Sequence, residues 1–161
     1  MLVYKVKEFF DIPYQLRKVK WLYQRCKYGF SDRDLWGFDY YLSGIISKGL
    51  RQLAVTHHGC PPEFHDEKKK GDECLAWRQI LLEIAEGFEA NRKLADNDFY
   101  NDPEVDKLYD DKKGFMKNKE WNDALIKMWK SKEYIKARKQ CEKKWEKAMI
   151  LFKEYYNSFW D

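Results

Sequence analysis

Long apolar runs, paired cysteine motifs and proline are what this sequence lacks. No segment approaches the roughly 18 consecutive apolar residues of a membrane-spanning helix, and the N-terminal MLVYKVKEFF has no apolar core of signal-peptide length. Only four prolines and eight glycines interrupt the 161 residues, which favours helices over strands. We therefore expect a soluble protein with no membrane partner.

The cysteines also form no recognisable framework. They are Cys26, Cys60, Cys74 and Cys141. None belongs to a C-x-x-C pair, and their spacings match no disulfide framework. We therefore expect the protein to work in a reducing compartment, the cytoplasm.

Metal-ligand residue types gather in the pattern H-H-G-C-x4-H. They are His57, His58, Cys60 and His65, with Cys74 available as a further ligand. Structural zinc sites show paired C-x-x-C or H-x3-H spacings, which this pattern lacks. The commoner explanation is a helix C-terminus, where a histidine favours the negative end of the helix dipole. The sequence therefore predicts no metal and no other cofactor.

Aromatic and charged residues are abundant, at 17% and 36% of the chain, and the mean hydropathy is −0.82. A disordered chain would lack the aromatics, so we expect a folded protein with a strongly hydrated surface. The net charge is +5 over residues 1–60, −8 over 61–111 and +7 over 112–161. An acidic middle between basic ends fits either complementarity within the chain or two opposite patches for partners.

The most strongly patterned segment is Ser31–Gly59, which predicts one long helix. Ser31 suits the N-cap position, and Gly59 followed by two prolines suits the C-terminal end. One apolar stripe recurs along it at spacings of three and four. The stripe consists of Leu35, Phe38, Leu42, Ile45, Gly49 and Leu53. We expect this helix to be the centre of the fold.

Further helices follow from the same periodicity. The first is Pro13–Tyr28, with Asp11 as its cap, and the others cover about 72–94, 120–129 and 133–159. The inner stripe of the first helix is Leu16, Val19, Leu22 or Tyr23, and Cys26. That of the helix at about 72–94 is Leu75, Trp77, Ile80, Leu81, Ile84, Ala85 and Phe88. A narrow apolar seam on the last helix consists of Cys141, Trp145, Ala148, Phe152, Tyr155 and Phe159.

The predicted fold class is therefore all-α, an antiparallel helical bundle of about five helices with one long central helix. Residues 1–94 form the helical core, with an N-terminal arm before the first helix. Residues 95–132 are a polar connection or insertion with a single helical turn near Pro103–Tyr109. Residues 133–161 form a C-terminal helix that packs back on the core.

Three blocks of the sequence carry distinctive motifs. They are YGFSDRDLWGFDYYLSGIISKGLRQLAVTHHGCPPEF, AWRQILLEIAEGFEA and the chain end AMILFKEYYNSFWD. The motifs are an S-D-x-D-x-W-x-x-D start, an H/N-G-x-P turn and an L-F-x-x-Y-[FY]-x-x-[LF]-W-D terminus. Together they resemble an uncharacterised family of small proteins encoded by tailed bacteriophages and prophages. The resemblance implies a phage-encoded protein that acts in a bacterial host, and it implies no activity.

The candidate binding surface combines the start of the long helix with the basic first helix. Its residues are Asp32, Asp34, Trp36, Asp39, Tyr40, Arg17, Lys20, Trp21, Arg25 and His57. The acidic and aromatic residues suit a cationic or nucleobase-bearing ligand, and the basic helix suits phosphates and stacked bases. The simpler explanation is structural, with helix capping by the aspartates and lysine stems that cover the core. The sequence leaves both explanations open.

We expect a phage-encoded, non-enzymatic accessory protein of the host cytoplasm that binds a host factor. It would inhibit antiviral defence or bind a nucleotide signal. One alternative is a metal-dependent nucleotide-hydrolysing enzyme that uses the acidic pairs Glu83–Glu86 and Glu120–Asp123, although such pairs arise easily by chance. Another is a phage structural or assembly protein.

The aromatic C-terminus has two interpretations. It contains Tyr155, Tyr156, Phe159 and Trp160. Large rings near a chain end either dock onto the fold or form a subunit interface. The second interpretation predicts a homo-oligomer through the C-terminal aromatic helix.

Overall fold

A computed structural model describes residues 14–65, 74–109 and 118–159. The helices in these ranges are α1 (Tyr14–Tyr28), α2 (Phe38–Thr56), α3 (Leu75–Asp96), α4 (Pro103–Asp106), α5 (Lys119–Trp129) and α6 (Lys132–Tyr155). Short 3₁₀ turns cover Asp34–Gly37, Pro62–Phe64 and Tyr156–Ser158. No strand occurs in the described ranges, and the all-α helical bundle predicted from the sequence is confirmed. The predicted N-terminal arm, the cap at Asp11 and the side chain of Trp160 lie outside these ranges.

The chain divides into two compact units, residues 1–41 and residues 42–161. The first unit contains α1, the Asp34–Gly37 turn and the first residues of α2, and the second contains the remaining helices. The boundary lies inside the predicted helical core of residues 1–94. The predicted polar connection (95–132) and C-terminal helix (133–161) both lie in the second unit.

Helix α3 organises the second unit, because its apolar face is deeply buried. Its core residues are Trp77, Leu81, Ile84, Ala85 and Phe88, each at most 4% exposed. They recur at spacings of three and four, as the sequence predicted for this helix. Leu50 and Ala54 of α2 join the same core cluster.

Helix α6 runs antiparallel to α3 and approaches it closely. Lys144 Nζ lies 3.3 Å from Glu86 Oε2, and further along α6 Lys147 pairs with Glu83. A Cβ placed on Gly87 would lie 2.0 Å from the Cβ of Ala148 and 2.6 Å from the Lys144 carbonyl oxygen. Glycine is therefore required at position 87 for the two helices to pack at this distance.

Aromatic rings fill the core where α6 ends. The ring centroid of Trp77 lies 5.4 Å from that of Phe64, 5.6 Å from that of Tyr155 and 6.2 Å from that of Phe159. Tyr155 and Phe159 therefore dock onto the fold, whereas Tyr156 is 62% exposed. Most of the apolar seam on α6 is used inside the chain.

Helix α2 packs on α3 through small side chains. Its buried residues in this unit are Ser43, Ser47, Leu50 and Ala54. Arg78 Nε donates to the Ala54 carbonyl at 3.1 Å, and Asn91 Nδ2 donates to Ser43 Oγ at 3.0 Å. Leu42 and Ile45 of the predicted apolar stripe are instead 38% and 48% exposed. The prediction was therefore wrong about which face of this helix is buried.

The long helix predicted for Ser31–Gly59 is shorter at both ends. A 3₁₀ turn precedes α2, and α2 ends at Thr56 rather than beside Gly59. Beyond it, Cys60 forms a disulfide with Cys74, the N-cap residue of α3, with 5.7 Å between their Cα atoms. This bond links the end of α2 to the start of α3, and the cysteine spacing did not predict it.

The predicted polar connection contains ordered helix ends. The Asp102 side chain accepts a hydrogen bond from Glu104 N at 3.1 Å and starts α4, which confirms the single helical turn. Ser131 Oγ accepts from Tyr134 N at 3.2 Å and caps α6, at the predicted break after α5. None of the described helices has both the length and the apolar character that crossing a membrane requires.

Candidate partner-binding surface

In the first unit, the chain turns at Gly29 and folds back against α1. Gly29 has φ +81°, a left-handed conformation that glycine adopts without strain. The Tyr41 hydroxyl donates to the Gly29 carbonyl at 2.6 Å, and the rings of Phe30 and Phe38 meet edge to face at 5.8 Å. These contacts hold the start of α2 against the end of α1.

Asp34 is the electrostatic anchor of this unit. The residue is 8% exposed, and its carboxylate accepts hydrogen bonds from Arg25 Nε, the Ser31 backbone N–H and the Ser31 hydroxyl, each at 2.8 Å. Arg25 Nη2 donates to the second carboxylate oxygen. Hydrogen bonds from Arg25, and then from Ser31, lower the pKa of Asp34 to about 2. Asp34 in turn raises the pKa of Arg25.

Asp32 makes a second link to α1. Lys20 Nζ lies 2.9 Å from Asp32 Oδ2, and the Asp32 backbone N–H donates to Gln24 Oε1 at 3.2 Å. Hydrogen bonding with the Gln24 side chain, and then with Lys20, lowers the pKa of Asp32. The two carboxylates therefore neutralise bases of their own unit, which favours the structural explanation over an open acidic pocket.

The two tryptophans of the unit have opposite environments. Trp21 is half-buried, and the Arg33 guanidinium lies over it, 5.2 Å from the ring centroid. Trp36 is 97% exposed. Tryptophan is among the most buried residues on average, and it dominates contact energies where it meets a partner. Trp36 is therefore the strongest candidate in this unit for contact with another molecule.

Other apolar side chains of the unit are also exposed. They are Leu16 (58%), Val19 (64%), Leu22 (62%), Tyr23 (59%) and Leu35 (53%). Four of them lie on one face of α1, where the sequence predicted an inner stripe. That prediction was wrong, since more than half of each of these residues is exposed. Groups of exposed apolar residues of this kind mark interaction sites.

The remaining predicted site residues are dispersed. Arg17 and Tyr40 are half-buried, and Asp39 is exposed. His57 belongs to the second unit, where its Nδ1 lies 3.1 Å from the Leu53 carbonyl oxygen at the end of α2. In the first unit, the predicted site residues thus form ion pairs with one another, and Trp36 is exposed in the turn beside them.

The two acidic pairs that a nucleotide-hydrolysing enzyme would use, Glu83–Glu86 and Glu120–Asp123, have different surroundings. Glu83 and Glu86 on α3 form ion pairs with lysines of α6. Glu120 and Asp123 are exposed on α5. Within residues 14–65, 74–109 and 118–159, these four carboxylates do not form a group with ligand atoms close enough to share a metal ion.

Metal-ligand side chains do gather around the disulfide. One ligand atom each from Cys60, His65 and Cys74 lies within 4.8 Å of the other two. Both cysteines are half-buried and His65 is exposed, whereas His57 and His58 are not part of the group. The sequence identified these residue types, and the structure brings three of them together through the Cys60–Cys74 disulfide and the Pro62–Phe64 turn.

Comparisons with known proteins return no relative. No protein family matches this chain, and neither a curated protein nor a solved structure is similar to it. Its own residues therefore carry the functional proposal.

Proposed function

We propose that this chain is a phage-encoded, non-enzymatic accessory protein that binds a host protein of antiviral defence in the bacterial cytoplasm. The contact surface is centred on Trp36, with Leu35 beside it in the sequence, and the exposed apolar face of α1 (Leu16, Val19, Leu22 and Tyr23) is a second exposed group of the same unit. The observation that carries the proposal is the 97% exposure of Trp36. The phage origin rests on the sequence resemblance.

The charges of the unit support a protein partner. Asp32 and Asp34 form ion pairs with Lys20 and Arg25, so two of the three bases predicted to meet phosphates are already paired. The same ion pairs fix the turn that presents Trp36, which lowers the entropy cost of binding. Exposed aromatic and apolar side chains are the groups that protein interfaces typically use at their centre.

A Trp36→Ala variant tests this surface. We expect it to weaken partner binding by about 30-fold or more, because central tryptophans typically contribute 2 kcal/mol or more to an interface. The partner is first captured from infected host lysate on the full chain, and its affinity for each purified variant is then measured by titration. The affinity should change little between low and high salt, in contrast to phosphate-mediated binding.

Val55→Ala is the matched control, since Val55 is an apolar residue of the second unit that is 77% exposed. It should bind within about twofold of the parent, as surface substitutions away from a contact usually do. Equal binding by both variants would contradict the proposal. So would a nucleotide released on heating the purified protein, a Mg²⁺-dependent loss of nucleoside triphosphate, or recovery of the chain in purified virions.

Self-association through α6 stays a prediction. The exposed apolar side chains of α6 and the following turn are Ile135 (43%), Met149 (40%), Ile150 (66%) and Tyr156 (62%), and the last three lie near the C-terminal end of the helix. Tyr155 and Phe159 pack inside the chain, so a homo-oligomer would use this smaller group. Sedimentation of the parent and of an Ile150→Glu variant distinguishes a dimer from a monomer.

A further inference from the structure

We propose that reduction of the Cys60–Cys74 disulfide opens a binding site for a thiophilic divalent cation, Zn²⁺, held by Cys60, Cys74 and His65. The inference is independent of the binding surface on the first unit. It rests on three ligand side chains, two from the segment that follows α2 and one from the N-cap of α3, whose ligand atoms lie within 4.8 Å of one another.

The backbone places both sulfurs where they can bind a metal. Cys74 is the N-cap of α3, a 22-residue helix with no acidic residue in its first turn. The positive end of the helix dipole therefore stabilises a thiolate at this position. Cys60 and Cys74 both pack against the hydrophobic core of the second unit, and their Cα atoms are 5.7 Å apart. Fixed Cα atoms keep the two sulfurs close after the bond is opened.

The third ligand is positioned by the Pro62–Phe64 turn. Phe64 N donates to the Pro61 carbonyl at 2.8 Å, and His65 N donates to the Pro62 carbonyl at 3.3 Å. The Phe64 ring stacks on buried Trp77, so the turn is anchored to the core. In a tetrahedral zinc site the ligand atoms are about 3.4–3.8 Å apart. Small rotations of the side chains reach this geometry from ligand atoms that already lie within 4.8 Å of one another.

The reduction step balances with a dithiol reductant. A thiolate of the reductant attacks one protein sulfur and displaces the other, which takes a proton. The second thiol of the reductant then resolves the mixed disulfide, so the reductant leaves as a disulfide and the protein gains two electrons and two protons. Zn²⁺ displaces both thiol protons and binds a neutral nitrogen of His65, and a water completes the four ligands.

The site cross-links the segment after α2 to the start of α3 in both redox states, through the disulfide when oxidised and through the metal when reduced. The disulfide closes a loop with a sequence separation of 14 residues. Such bonds do not persist in a reducing cytoplasm, where a metal held by the same two sulfurs would replace them. Zinc should therefore stabilise the reduced chain and leave the oxidised chain unchanged.

The test uses the full chain, reduced with a phosphine under argon and freed of reductant. We expect it to bind one Co²⁺ with the visible absorption of a tetrahedral thiolate complex, and to release up to two protons on binding Zn²⁺. Zn²⁺ should raise its melting temperature. The oxidised chain should show none of these effects. Absence of the thiolate–Co²⁺ absorption in the reduced chain would overturn the proposal, whether that chain is folded or not.

Variants separate the three ligands from their neighbours. His65→Ala leaves the disulfide intact, so it folds as the parent does. After reduction it should bind Zn²⁺ at least about 100-fold more weakly, since loss of a group that merely supports a ligand costs 10- to 100-fold. Cys60→Ser should bind no Co²⁺, whereas Cys141→Ser and His58→Ala should bind as the parent does. Unchanged affinity in His65→Ala or Cys60→Ser would refute the assigned ligand set.

Discussion

A Gly87→Ala variant should melt about 4–8 °C below the parent, although alanine is the better helix former. The added Cβ would lie 2.0 Å from the Cβ of Ala148 and 2.6 Å from a backbone oxygen of α6, and neither atom can rotate away. Overpacking of this kind costs about 1–3 kcal/mol of stability. We expect a cost of about 3 kcal/mol here, because two helices must separate. The gain in helix propensity, about 1 kcal/mol, offsets only part of it. At 2–4 °C per kcal/mol, a net loss of about 2 kcal/mol gives the stated change.

Gly49→Ala is the matched control for this substitution. Gly49 is also inside a helix, α2, but a Cβ placed on it would meet no atom within 4 Å. The same chemical change should therefore raise the melting temperature by about 1–4 °C, from the helix propensity alone. Thermal unfolding followed by circular dichroism compares both variants. A melting temperature for Gly87→Ala that is unchanged or raised would show that α3 and α6 do not pack at the distance described.

The sequence predicted the second unit well where one face of a helix is both apolar and buried. The stripe through Trp77, Leu81 and Phe88 and the seam through Ala148 and Phe152 are the faces that α3 and α6 present to the core. Helix ends were also predictable where a side chain caps them, as Ser131 does for α6. Local periodicity and capping are physical requirements of a buried helix, so they can be inferred without the tertiary structure.

The same reasoning failed for α1 and α2, because an apolar stripe does not specify what covers it. Leu16 and Ile45 have helical spacing with their neighbours and are nevertheless 58% and 48% exposed. The face of α2 that is buried includes Ser43 and Ser47, which hydropathy scores as polar. Small side chains permit close approach, and Asn91 satisfies the Ser43 hydroxyl. Which face of α2 is buried therefore depends on where α3 packs, and the sequence of α2 alone does not show it.

The sequence predicted which residues belong to the candidate site, but not which of them contact one another. Asp32 and Asp34 were expected to cap a helix or line a pocket, and their partners Lys20 and Arg25 lie in a preceding helix, 12 and 9 residues away. The Cys60–Cys74 bond likewise joins two helix ends that meet only once α2 and α3 are antiparallel. Contacts between elements need the tertiary arrangement, which a single sequence does not provide.

The Asp34 ion pair makes the first unit sensitive to acid. Because the folded pKa of about 2 is lower than the ordinary 3.8, Asp34 stabilises the fold above pH 4. That stability is lost as the pH falls towards 2. A shift of this size corresponds to at most about 2 kcal/mol, since Arg25 is partly exposed and solvent screens the pair. Hydrogen exchange of residues 14–41, corrected for the intrinsic rate at each pH, should show easier opening of α1 between pH 4 and pH 2.

An Asp34→Asn variant should lose this pH dependence, because its side chain carries no charge to protonate. At pH 7 it should already exchange in α1 about 10- to 30-fold faster than the parent, as expected from the loss of about 2 kcal/mol. Asp39→Asn removes an exposed carboxylate one turn further along and should exchange as the parent does. The ion pair matters for presentation of Trp36 as well, so Asp34→Asn should also weaken partner binding. A variant that keeps the acid-dependent opening of the parent would show that another group titrates, and that Asp34 is not the anchor of the unit.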